Sequence, residues 1–174
     1  MIKKIVVVGP ESTGKSTLCK LLAEHYQTAW VEEYAREYLL KNGTDYSFEN
    51  LMDVAKGQIA NEERVSEQST NGKHLFIDTD MYVMKIWCEF VFDKCHHWIM
   101  NRIIERKYDL YFLCNPDIPW VKDELREYPD PVNRIKLYHH YKDILINQNV
   151  PWVEISGTYE ERLQKAIKAV DELS

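Results

Sequence analysis

The stretch Ile5-Val-Val-Val-Gly-Pro-Glu-Ser-Thr-Gly-Lys-Ser-Thr-Leu18 decides the fold. Four apolar residues run into Gly9, four more pass, and Gly14-Lys15-Ser16-Thr17 opens a new segment. Gly9 to Ser16 fit G-x-x-x-x-G-K-[ST] without a gap. The β-branched run before it, Lys3–Val8, suits a strand buried on both faces. After it, Leu18, Leu21, Leu22 and Tyr26 recur at helical spacing, so a helix is predicted from Lys15 to about Tyr26. A strand, a glycine-rich turn and a helix form the context this motif requires. Its glycines let successive backbone N–H groups face an anion, and the helix N-terminus adds partial positive charge. In that geometry Gly9, Glu11, Ser12, Thr13, Gly14, Lys15, Ser16 and Thr17 hold a triphosphate. Lys15 reaches the β/γ-phosphates and the Ser16 hydroxyl binds Mg²⁺. The expected cofactors are ATP and Mg²⁺, although the loop alone leaves GTP open as donor.

The rest of the chain supports a single domain over residues 1–174, with 45% hydrophobic residues available for a core. Six Gly and six Pro are too sparse for a linker. The net charge of −6 argues against non-specific nucleic-acid binding, which needs a positive surface to displace counterions. Cys19, Cys88, Cys95 and Cys114 lie far apart and form no C-x-x-C pair, so reduced thiols and a cytoplasmic location are expected. No apolar run reaches membrane-spanning length.

Strands are also predicted at Ala29–Tyr34, His74–Ile77, Asp109–Leu113 and Trp152–Ile155. Helices are predicted at Ala35–Leu40, from Phe48 to about Gln68, and at Met81–Phe92, Trp98–Arg106, Asn133–Asn147 and Tyr159–Leu173, with a break at Asn71-Gly72. Alternating strands and helices imply a five-stranded parallel sheet with helices on both faces, an α/β fold. Ligands of such sheets bind beyond the carboxyl ends of the strands.

Three further stretches fall at those ends. His74–Asp80, "HLFIDTD", is an apolar strand ending in acid, and Asp78 is the natural partner for the Mg²⁺ shell. Asp80 projects to the same side if the strand stays extended, facing the acceptor instead of the metal. Val31–Glu37, "VEEYARE", offers Glu33, with Glu32 as alternate, as the carboxylate that orients an acceptor hydroxyl. Arg36 there can pair with carboxylate or phosphate. The charged segment at about 116–134 has the length of a lid, with Arg126 and Arg134 as its cations and Lys122 as a weaker third. Trp120 in that segment can stack on a planar substrate. Trp87, Trp98 and Tyr138 stand at helical positions that read first as core. Cys95-His96-His97 and His139-His140 lack a second ligand pair and read as surface histidines.

Together, "GPESTGKSTL", "EYARE", "FIDTD" and "PWVKDELR" resemble, in that order, the ribosylnicotinamide kinase domain of the bifunctional NadR-type proteins of NAD salvage. The resemblance runs from Ile5 to about Arg162. It implies a P-loop fold of the nucleoside/nucleotide-kinase kind and ATP-dependent phosphorylation of the 5′-hydroxyl of nicotinamide riboside. By position it assigns roles to Lys15, Ser16, Glu33, Tyr34, Arg36, Asp78, Asp80, Trp120, Asp123, Arg126 and Arg134. Larger members carry an adenylyltransferase domain before the kinase, an activity not expected of these residues. The family pattern also has threonines shortly after "FIDTD", where this chain reads Met81-Tyr82-Val83-Met84. That departure bears on the acceptor, not on phosphoryl chemistry.

The expectation is therefore a small-molecule kinase. Glu33 or Asp80 deprotonates the acceptor, and Arg126 and Arg134 close over the γ-phosphate. Tyr34 and Trp120, then Trp87, wall the cationic ring of the nucleoside. Another nucleoside or a vitamin alcohol such as thiamine is the alternative acceptor. A nucleotide-dependent switch or sensor is the alternative class. The oligomeric state is open.

Overall fold

The apolar run at the N-terminus is the central strand of a five-stranded parallel sheet in a computed structural model that describes residues 2–69 and 72–173. In chain order the elements are β1 (Lys3–Val8), α1 (Lys15–Tyr26), β2 (Trp30–Val31), α2 (Tyr34–Asn42), α3 (Phe48–Gln68) and β3 (His74–Asp78). There follow α4 (Met81–Phe92), α5 (His97–Glu105), β4 (Leu110–Cys114), α6 (Pro131–Ile146), β5 (Trp152–Ile155) and α7 (Tyr159–Asp171). Of the predicted break at Asn71-Gly72, Asn71 lies outside the described residues.

The strand order is β2-β3-β1-β4-β5, with Ile5 opposite Phe76 on one side and Leu110 on the other. Both faces of β1 are covered, which is why its sequence shows no polar alternation. Ile5 and Val7 pack with Leu18, Cys19 and Leu22 of α1 and Ala166 and Val170 of α7. Val6 and Val8 pack on the opposite face with Val83 and Ile86 of α4 and Leu137, Tyr138 and Tyr141 of α6. A third cluster joins α2, α3, α4 and α5 around Leu51, Met84, Cys88 and Ile99, with Trp98 against it. Tyr138 is a core residue, as its spacing implied, and Trp98 packs half-buried against the core.

Two boundaries differ from the expected ones for reasons visible in the contacts. The second strand is only Trp30–Val31, because the Tyr34 amide donates to Gln58 Oε1 at 2.8 Å and α2 begins there. Tyr34 lays its ring on the bare backbone of Gly57 in α3, where a Cβ would stand 1.9 Å from Tyr34 Cε1. Helix α6 starts at Pro131, capped by Asp130, whose carboxylate accepts Val132 N. The irregular lid therefore spans 116–130, and Arg134 belongs to a helix instead.

The histidines divide. His139 and His140 are exposed, but His96 stacks on Phe48 with ring centroids 3.7 Å apart. Among the described residues no three His, Cys, Asp or Glu side chains cluster to hold a metal, and no helix is long and apolar enough to cross a membrane. All four cysteines are free thiols.

Candidate active site

The phosphate loop leaves β1 through backbone conformations that side chains avoid. Gly9 adopts φ 146°, where a Cβ would meet Cys114 O at 2.8 Å, and Gly14 adopts φ 79° as the N-cap of α1. Between them Thr13 Oγ1 donates to Pro10 O at 2.8 Å, and the Lys15 ammonium donates to the same carbonyl at 2.9 Å. From the far side Arg162 of α7, 2% exposed, clamps the loop. It donates to Thr13 O (2.7 Å), Gly157 O (2.8 Å) and Asn115 O (2.8 Å), and pairs with Asp117. Arg162 is a site-shaping residue that motif reading passed over. Its signal was a charge on the stripe Arg162, Ala166, Val170, the buried face of α7.

The Ser16 hydroxyl donates to Asp78 Oδ2 at 2.5 Å. Asp78 is fully buried at the end of β3, so it reaches the cleft through Ser16. Burial raises the Asp78 pKa, and Lys15 and the Ser16 hydroxyl oppose the shift. Glu33, at the N-cap of α2, lines the cleft, while Glu32 is exposed and does not. Burial and the Asp78 charge raise the Glu33 pKa, with Lys15 pulling the other way.

The cleft, about 280 Å³, runs from this loop to a wall on its far side. Arg36, Val83, Trp87, Phe90, Arg126 and Tyr128 contribute to that wall. The Trp87 indole N–H donates to Tyr46 O–H at 2.8 Å, which donates to Glu127 Oε2 at 2.8 Å. Of the four residues replacing the family's threonines, only Val83 faces the cleft. Met81 and Met84 are core, and Tyr82 packs toward Tyr111.

Several expected residues stand elsewhere. Thr79 takes φ 76° and turns the chain, so Asp80 leaves the strand and caps α4. One Asp80 oxygen accepts Tyr82 N and Val83 N, and the other accepts the Tyr111 hydroxyl at 2.7 Å. With both oxygens engaged and only 3% exposed, Asp80 is off the cleft wall. Tyr34 is spent on Gly57, and Trp120 lies off the wall with its indole N–H buried and unpartnered. Asp123 reaches the site only by pairing with Arg36 at 3.1 Å. Arg134 is no free cation at the lid tip: it donates to Ser12 O and Ile118 O, tying loop to lid. Burial, with Arg126 nearby, lowers its pKa.

A phosphate loop on the central strand of a parallel sheet, with an acid from the neighbouring strand behind its serine, defines a P-loop fold of the nucleoside/nucleotide-kinase kind. The chain belongs to the family described as AAA domain, which it matches over residues 4–162. It is 27% identical, over 99% of its length, to the trifunctional NAD biosynthesis/regulator protein NadR of Salmonella typhimurium and equally to that of Escherichia coli. It spans 43% of those relatives' length. Its fold matches NadR protein in complex with NR at TM-score 0.85, with 24% identity over 99% of this chain and 49% of that one. Thymidylate kinase from Ehrlichia chaffeensis superposes at TM-score 0.70, with 14% identity over 97% of this chain and 98% of that one.

Proposed function

We propose that the protein is an ATP- and Mg²⁺-dependent kinase that phosphorylates the 5′-hydroxyl of nicotinamide riboside, giving nicotinamide mononucleotide. The observation that carries the reading is one continuous cleft lined by the phosphate loop, by Glu33 and by the aromatic side chains of Trp87, Phe90 and Tyr128. The NadR relatives, with structures in complex with NR and with NAD and AMP-PNP, support the same acceptor and donor.

Glu33 accepts the proton of the acceptor hydroxyl as that oxygen attacks the γ-phosphorus. The loop N–H groups and Lys15 hold the phosphates in line, and Arg126 offsets charge that develops on transfer. Ser16 lines the cleft with the Asp78 carboxylate hydrogen-bonded behind its hydroxyl, hard oxygen groups that would hold Mg²⁺. When bound there, the ion neutralises phosphate charge. Trp87, Phe90 and Tyr128 offer aromatic surface in the cleft for a cationic pyridinium ring, with Glu33 and Glu127 as carboxylates in the same lining. Four free thiols agree with a reducing, cytoplasmic setting.

An ATP-consumption screen over nicotinamide riboside, other nucleosides and thiamine tests the proposal. Turnover with nicotinamide riboside is expected. Turnover with a different alcohol alone would end the specific claim, and slow hydrolysis without any product ester would favour a switch.

A further inference from the structure

The lid has no regular secondary structure, so side chains elsewhere must set its position. Two of these belong to the phosphate loop. The Glu11 carboxylate accepts Glu127 N at 3.1 and 3.2 Å from its two oxygens, and Tyr128 N at 3.1 Å. Ser12 Oγ accepts Val121 N at 2.9 Å. These anchors lie on either side of Arg126, whose guanidinium lines the cleft and donates to Val121 O. A carboxylate in a loop made for phosphates repels the ligand it sits beside. Here it is turned onto two successive backbone N–H groups of the lid, as an anion sits on a helix N-terminus. Arg134 joins Ser12 O to Ile118 O, so the start of the lid hangs from the same loop.

We infer that Glu11, assisted by Ser12, is a positioning residue: it hangs the lid on the phosphate loop so that Arg126 stands over the phosphate being transferred. The inference rests on the kinase reading of the cleft. Glu11 touches no reacting atom and acts through Arg126. Loop and lid then form one arrangement, and a lid released from Glu11 holds its arginine out of register with the γ-phosphate.

The experiment uses the full chain and the variants E11A, E11Q, R126A and E11A/R126A. E11A is expected to lower kcat about tenfold or more, as loss of charge-assisted hydrogen bonds implies, with KM for ATP changing less. E11Q, whose amide oxygen still accepts from both N–H groups, recovers most of it. In the R126A background E11A should cost less than about twofold, because the two residues act as one unit. Equal losses with and without Arg126, or an E11A enzyme matching wild type, would overturn the inference.

Limited trypsin digestion gives a readout independent of the acceptor, since Lys122 and Arg126 lie between the anchors. Cleavage there should be about tenfold faster in E11A and near the wild-type rate in E11Q, as expected for a segment that opens locally. Equal cleavage in E11A and wild type refutes the anchoring. If the wild type phosphorylates no alcohol yet digestion separates the variants, the kinase reading falls and the anchoring of the lid by Glu11 stands.

Discussion

The two walls of the cleft are held by different means. The donor wall is backbone, continuous with the buried strand β1, bent at Gly9 and Gly14 and clamped from behind by Arg162. The acceptor wall comes from the start of α2, one face of α4, α6 and an irregular lid, joined by side-chain contacts such as Arg36–Asp123 and Tyr46–Glu127. Each such exposed contact contributes on the order of 1 kcal/mol or less. The donor wall is thus stiff and generic, and the acceptor wall adjustable and particular. Changes in the first should abolish chemistry; changes in the second should redirect it.

Lys15→Ala is the strongest challenge to that contrast and should lower phosphoryl transfer by about 10³-fold or more, by analogy with lost transition-state cations. Retained transfer would refute the loop assignment outright. At the junction of the walls, Glu33→Gln should reduce kcat about 10²–10⁴-fold as a lost general base, with ATP binding kept in a nucleotide titration. Arg162→Ala tests the clamp through folding: removing a buried cation from four acceptors should cost about 3 kcal/mol, seen as a lower denaturation midpoint. On the acceptor side, Val83→Thr should leave kcat nearly unchanged and shift KM for the nucleoside only a few-fold, read by comparing acceptors.

Asp80→Asn should affect activity least, within about threefold, because asparagine still caps a helix. Its signature is in stability. Burial pushes the Asp80 carboxyl up to about 6. The native state therefore binds more protons than the unfolded chain between the ordinary carboxylate pKa of about 4 and that value. Stability should fall as pH rises through this window and level off above it. Asp80→Asn should remove that slope in denaturation midpoints measured across the range. A collapse of kcat in Asp80→Asn, with Glu33→Gln still active, would return the base to Asp80.

The contrast also explains what could be read from the chain. The sheet, its five strands and the phosphate loop were legible because buried parallel strands and an anion loop each impose a local pattern, apolar runs and fixed glycines. Sequence placed Glu33 and Asp78 at strand ends facing the loop, and the structure puts Glu33 on the cleft and Asp78 behind Ser16. Asp80, Tyr34 and Trp120 were less legible. One left-handed residue, Thr79, turned Asp80 away, and Tyr34 found Gly57 twenty-three positions later in sequence. Such outcomes depend on tertiary partners that no short window contains. The lid boundary moved for a local reason instead: Asp130-Pro131 is a helix start hidden in a proline-rich stretch.

Gly57 carries a consequence of its own. A glycine inside a helix costs about 1 kcal/mol against alanine, and here the bare backbone receives the Tyr34 ring, one residue after Glu33. Any side chain at Gly57 would displace that ring from its seat on α3. A residue that lends no atom to the cleft thus bears on where Glu33 stands, and related sequences compared only at their cleft-lining positions would miss a change there.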